Sequence, residues 1–257
     1  MFSVHGTKQR IKLGKILEDH GLYAQYSMVN NFQYAITLPS AADIMKAQSG
    51  SAVEGYSLEN IELEYETIEN QELTDEVIAG YDVGRSLSYD HVTLMKTTEW
   101  DKDSTLVNES INLPRKSMRA VVLLFKKKAP AGSEEYVYPG IDSVKVTIEG
   151  VPNSVYSQGI PKNRFYEEAS RLFGVHSDEE AITMREFYKD QFALVVDLRT
   201  LNDNNVTGTG KKLVNTQSGI LLEIKKTAIS ANVMCKMFFI SDGLLNISNR
   251  DLHSIQY

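Results

Sequence analysis

The chain has 257 residues, 42% of them hydrophobic and 24% charged, with 34 acidic against 27 basic side chains and a net charge of −7. That length can bury a sizeable core, as one large domain or two compact ones, and the acidic balance argues against a surface that grips nucleic acid everywhere while leaving room for a local basic patch. A single cysteine, Cys235, excludes an intrachain disulfide, and no apolar run reaches the ~18 residues of a membrane-spanning helix.

The opening MFSVHGTKQRIKL lacks the apolar core of a secretion signal, so the chain is expected to be intracellular when made, in the cytoplasm or nucleus. The sequons at Asn108, Asn205 and Asn246 then read as chance matches. Strand-like segments follow at 10–17, 32–38, 57–68, 89–100, 105–113, 118–125, 142–150, 192–200, 219–227, 233–241 and 244–248. In SLENIELEYETI, Leu58, Asn60, Glu62 and Glu64 alternate with Ile61, Leu63 and Tyr65, the pattern of a half-buried strand. AVVLLF and FALVVDL are apolar on both faces, as strands between layers are.

Four short helices interrupt the strands. SAADIMKAQ opens with Ser40 as N-cap. NQELTDEVIAGYDVG places Leu73, Val77, Ile78 and Tyr81 on one face and ends at Gly84. NRFYEEASRLFG puts Phe165, Ala169, Leu172 and Phe173 on one stripe, and SDEEAITMREFY begins with Ser177 and Glu180 in capping-box spacing, predicting a helix over 177–188. The helices do not alternate with the strands, which excludes a doubly wound parallel sheet and leaves an antiparallel β-sandwich with helices in its loops.

Chemistry is sparse. NNVTGTGKKL, residues 204–213, imitates a phosphate loop, but Asn205 stands where the first glycine belongs, Lys212 replaces the hydroxyl, and the segment beyond it reads as strand. It is a turn. His5, His20, His91, His176 and His253 are scattered without metal-ligand spacing, and Cys235 sits in VMCKMFFI as a buried structural thiol. The acidic run from Glu59 to Glu76 reads as a solvent-facing strand entering a helix start rather than a cation site. RKSMR (Arg115, Lys116, Arg119) and the lysines at 126–128 bracket an apolar strand; a phosphate contact is one reading and a solvated strand end the default. No residue is assigned as catalytic, cofactor-binding or metal-binding.

Three blocks carry a resemblance: YSLENIELEYETIENQELTDEVIAGYDVGRSLSYDHVTLMKTT; LPRKSMRAVVLLFKKK with YPGIDSVKVTIEGVPNSVYSQGIPKNRFYEEASRLFG; and FALVVDLRTLNDNNVTGTGKKLVNTQSGILLEIKK closing on FFISDGLLNISNRDLHSI. In order and turn residues they resemble the jelly-roll major capsid proteins of Polinton (Maverick) elements and adintovirus-like viruses. The resemblance implies a mainly β jelly-roll fold of the double jelly-roll capsid lineage, a hexon-like trimer, and an icosahedral virion shell. It implies no enzymatic activity and no cofactor. Implied partners are further copies of the chain and neighbouring capsid proteins, with weak contact to packaged DNA and no membrane span. Over 1–257 two organisations stay open, one elaborated roll or two compact rolls dividing near 126–136. The alternatives in function are a lectin-like jelly-roll binding module or a host-captured capsid descendant. A cupin-type enzyme ranks below both, for want of converging histidines.

Overall fold

The computed structural model describes residues 37–38, 55, 57–58, 61–62, 69–127, 136–153, 158–173, 182–200, 208–213, 219–249 and 251–256. The expected strand 10–17 and the helix from Ser40 lie outside these residues. Of the expected strands 32–38 and 57–68, the described positions 37–38, 57–58 and 61–62 carry no strand, and Leu58 and Ile61 are exposed. Alternation marks a side that can be buried, but a strand also needs a partner for its backbone groups.

From residue 85 the apolar runs become strands almost where the sequence puts them. They are β1 (Arg85–Trp100), β2 (Leu106–Ile111), β3 (Arg115–Lys127), β4 (Ile141–Ile148), β5 (Val151–Pro152), β6 (Ile160–Pro161), β7 (Ala193–Asp197), β8 (Lys211–Leu213), β9 (Ile220–Lys226), β10 (Val233–Ser248) and β11 (Asp251–Gln256). One sheet has the order β1-β10-β3-β7, with β8 also on β3 and β11 on β10; the other has the order β2-β9-β4-β5, with β6 also on β4. In a jelly roll the eight strands, lettered B to I in chain order, form sheets B-I-D-G and C-H-E-F. Here β1, β10, β3 and β7 stand at B, I, D and G, and β2, β9, β4 and the broken pair β5–β6 stand at C, H, E and F. The fold is an antiparallel jelly roll.

The second sheet keeps one wet face. In β9, Ile220, Leu222, Ile224 and Lys226 are buried while Leu221 and Lys225 are exposed, and β4 buries Val144, Val146 and Ile148 in the same rhythm. In the first sheet β3 is buried continuously from Ser117 to Leu123, as its apolar run requires, and β10 covers it in register from Val233↔Lys127 to Ile240↔Ala120. β4 turns into β5 through Glu149 and Gly150, both at positive φ (50° and 80°), the geometry of a two-residue hairpin.

The expected strands 233–241 and 244–248 are one strand. Asp242 does not break it because Arg119 and Ser117 receive its carboxylate, and Gly243 does not because a Cβ there would lie 2.5 Å from the Tyr89 ring, which its absence lets in.

Helix α1 (Gln71–Val83) starts at Asn70, whose side chain accepts the Leu73 N–H at 3.1 Å, and stops at Gly84 with φ 122°. It belongs to a smaller unit that also takes β11 and the Arg85–Asp90 and Gly243–Ser248 parts of β1 and β10. Tyr81, Leu87 and Ile247 form that unit's core. The larger unit holds the rest of the roll, a 3₁₀ turn (Lys162–Arg164), α2 (Phe165–Phe173) and α3 (Met184–Asp190).

Two helix expectations need correction. Phe173 is 54% exposed, and Glu168 is fully buried. At about 100° per residue, Phe165, Glu168, Ala169 and Leu172 span one arc and Phe173 falls beside it. The capping box expected at Ser177 and Glu180 lies outside the described residues. Ile182 and Thr183 are not helical, and α3 begins at Met184 behind a different capping box, Thr183 with Glu186. α2 packs on β7, and both helices dock around Phe192, whose ring lies 4.9–6.0 Å from those of Tyr138, Phe187, Tyr188, Phe125 and Phe165.

Candidate functional site

The residues most suggestive of chemistry in the sequence are not brought together. Among the described residues no three His, Cys, Asp or Glu side chains converge as metal ligands. Cys235 is fully buried, and desolvation pushes its thiol well above its ordinary range. His91 shares a 2.9 Å hydrogen bond with Thr93; desolvation first, then Arg115, draws its imidazole below the usual value. His5, His20 and His176 lie outside the described residues, as does the side chain of His253.

The glycine loop is built around an internal anion. Gly208, at φ 77°, donates its N–H to Asp242 Oδ2 at 2.9 Å, and Gly210 donates to Ser117 Oγ at 3.0 Å. Ser117 donates in turn to the same Asp242 oxygen. A Cβ on Gly210 would sit 2.6 Å from the Met118 carbonyl, so only glycine lets the loop lie this close to β3. The Thr200 N–H and hydroxyl both donate to the Thr209 carbonyl, at 2.8 and 3.0 Å. Of the loop's described glycines, Gly208 thus gives its N–H to the protein's own carboxylate and Gly210 gives its N–H to a hydroxyl. Lys211 and Lys212 follow on β8 and are exposed.

Three further polar joints hold the roll. Glu109 of β2, 5% exposed, accepts from Trp100 Nε1 at 2.9 Å and Thr98 Oγ1 at 3.1 Å and pairs with Lys96 at 2.5 Å, tying the edge strand β1 to the opposite sheet. Lys226 points its ammonium at the carbonyls of Ser104, Thr227 and Lys102 at 2.6, 3.2 and 3.4 Å, and desolvation lowers its pKa. Glu168 sits between Arg164 at 3.1 Å and Arg171 at 3.5 Å. The first two are not visible in local sequence, because their partner sets are assembled across elements; the third has its arginines three and four residues away on the same helix. An open hollow of about 630 Å³ lies among Asp142, Pro161, Lys162, Asn163, Met184 and Tyr188. Its Tyr188 hydroxyl is engaged by the Lys162 carbonyl.

The basic cluster is redistributed. Arg119 is buried and 3.7 Å from Asp242, and Lys126 lies 5.5 Å over the Tyr136 ring, near the other end of β3. β8, which carries Lys211 and Lys212, lies beside the start of β3 in the register Arg115↔Leu213 and Met118↔Lys211. Adjacent residues of a strand face opposite ways, so RKSMR was never one patch.

No family model and no curated protein matches the chain. Solved structures do. The chain is similar in fold to viral major capsid proteins. The PBCV-1 VP54 structure fitted into a reconstruction of the virophage Sputnik aligns over 73% of this chain and 54% of its own, at 10% identity and a TM-score of 0.45. The Faustovirus major capsid protein aligns over 70% and 36% at 11% identity and a TM-score of 0.41, and the mavirus major capsid protein over 69% and 42% at 10% identity and a TM-score of 0.38. The chain spans about half the length of these proteins or less.

Proposed function

We propose that the chain is a non-enzymatic shell subunit that self-assembles, as a hexon-like trimer, into an icosahedral virion shell of the Polinton or adintovirus kind. The observation that carries the reading is the strand order: all eight positions of a jelly roll are filled within residues 85–248. We read the chain as one roll, with 126–136 as its D–E connection. Edge strand β1 keeps Val92, Leu94 and Met95 exposed at 57%, 50% and 37%, which suits lateral contact with a neighbouring subunit better than solvent. Repetition of weak contacts in a closed shell makes each of them sufficient.

Sedimentation or light-scattering mass over a concentration series, followed by electron microscopy of the largest species, tests this. A trimer that gives ordered shells or sheets is expected. A strict monomer at high micromolar concentration would favour the lectin-like binding module instead.

A further inference from the structure

We propose that the wet face of the second sheet is a contact between two copies of the chain, packed face to face about a two-fold axis that runs along the strands between β9 and β4. The face itself rests on strand register. Its place in a shell, between neighbouring capsomers, rests on the shell-subunit reading.

Residues paired across a ladder share a face, and so do residues two apart along a strand. The register therefore lays the outward side chains of β2, β9, β4 and the β5–β6 pair in rows. One row runs Leu106, Lys225, Ser143, Pro161. The next is centred on Glu223 beside Lys145, and a third on Leu221 beside Thr147. None of these side chains is buried, and Leu106 and Leu221 are 52% and 37% exposed. Lys145 and Glu223 pair at 3.4 Å in the middle of the face, with side chains 48% and 39% exposed.

An antiparallel sheet can keep a wet face with no partner. This one is self-complementary. A two-fold axis between β9 and β4 sets each row against its own reverse, so Glu223 of one copy meets Lys145 of the other, and the pair is made twice. Lys225 then meets the Ser143 hydroxyl, Leu221 meets Thr147, and Leu106 meets Pro161. Charge also fixes where the axis lies. Over β9 it would oppose Glu223 to Glu223 and Lys225 to Lys225, and over β4 it would oppose Lys145 to Lys145. Small side chains at Ser143 and Thr147 leave room for a second sheet at the ~10 Å spacing of packed sheets.

Magnitude decides what kind of contact this is. At about 4.8 Å between strands and about 3.4 Å per residue, the face measures about 15–20 Å each way. Each copy then contributes about 300–400 Å², against about 800 Å² per partner in a stable pair. The contact is weak in a free pair and holds where it is repeated.

Charge reversal in the full chain tests the proposal, read as the concentration at which species larger than the basal oligomer form. Lys145→Glu leaves two carboxylates at the centre of the face, and Glu223→Lys leaves only lysines. Each variant alone should need about tenfold more protein to assemble, because like charges are brought together. An equimolar mixture of the two should assemble like the unmodified chain, with energy transfer between donor-labelled Lys145→Glu and acceptor-labelled Glu223→Lys. Mixing cannot restore the pair within either chain, so rescue reports a face-to-face contact. Lys189→Glu, an exposed site off the face, should change nothing. Melting temperatures should stay close to that of the unmodified chain, since an exposed pair adds about 1 kcal/mol at most. Single variants that assemble normally, or a mixture no better than either alone, would overturn the contact. Ordered shells unaffected by either reversal would sink the contact and keep the shell reading. Pairing rescued by mixing, in a chain that never forms ordered shells, would sink the shell reading and keep the contact. No larger species in the unmodified chain or the mixture would sink both.

Discussion

Asp242 and Gly208 meet at 2.9 Å, the carboxylate of a strand accepting the N–H of a loop 34 residues earlier in the chain. The same carboxylate faces the buried Arg119 guanidinium. Removing it leaves a cation in the core and a loose loop. Asp242→Ala should therefore lower unfolding free energy by about 3–5 kcal/mol in urea titrations. A loss below about 1 kcal/mol would mean that water or another group replaces the carboxylate.

The occupied loop also predicts a negative result. ATP and GTP should show no micromolar binding by calorimetry, because the Gly208 and Gly210 N–H groups already have partners within the protein. Nucleotide binding abolished by Lys211→Ala would overturn that assignment.

Two phenylalanines of α2 should behave oppositely. Phe165 is fully buried against the Phe192 cluster, so Phe165→Ala should cost about 3–5 kcal/mol. Phe173 is 54% exposed, and Phe173→Ala should change stability by less than about 1 kcal/mol. If Phe173 instead contributes to assembly, its replacement will lower the assembled mass at constant melting temperature.

Gly219 is a steric requirement. A Cβ there would lie 1.9 Å from the Ile111 carbonyl oxygen, at the point where β9 begins to pair with β2. Gly219→Ala should destabilise by about 1–3 kcal/mol or more, since backbone rather than a movable side chain is in the way. Gly80→Ala, where a Cβ meets nothing within 4 Å in mid-helix, should be neutral or stabilising in the same assay.

Stability should fall at alkaline pH. Desolvation raises the pKa of Tyr81, Tyr138 and Tyr188 and of the Cys235 thiol in the folded chain. A raised acid holds its proton longer folded than unfolded, so its contribution is complete below the unfolded value and is lost above it. Those unfolded values are about 8.5 for cysteine and about 10 for tyrosine. Lys226 works in the opposite sense: its lowered pKa makes charging it costly, and that cost is relieved as pH rises toward ~10.4. Urea midpoints measured upward from pH 8 should therefore decline, and less steeply in Tyr138→Phe. A rise through the same range would mean that Lys226 outweighs the four acids.

The long apolar runs were legible because they carry their own evidence. AVVLLF can only be a strand between layers, and β3 is buried on both faces. The helix that ends at Gly84 and the turn at Gly208 were legible for the same reason. The short strands β5, β6 and β8 were not, since two or three residues have no period and exist as strands only through β4 or β3. Glu109, Glu168 and Lys226 look like surface residues in sequence. Their burial depends on Trp100, on two arginines a turn away, and on carbonyls more than a hundred residues distant. Both basic clusters stand out in sequence, but that their strands lie side by side is visible only in the β8 register.

The position of β10 between β1 and β3 has a kinetic consequence. The strand that fills the middle of the first sheet is the last of the eight to leave the ribosome. Until it arrives, β1 and β3 have no central partner, and the continuous apolar face of β3 stays open along the edge that β10 will occupy. Pairings of such long sequence separation form slowly, because most of the chain must be gathered before any of them is rewarded. A nascent chain of this topology therefore needs shelter from aggregation during synthesis, and the roll closes only once its last strand has been made.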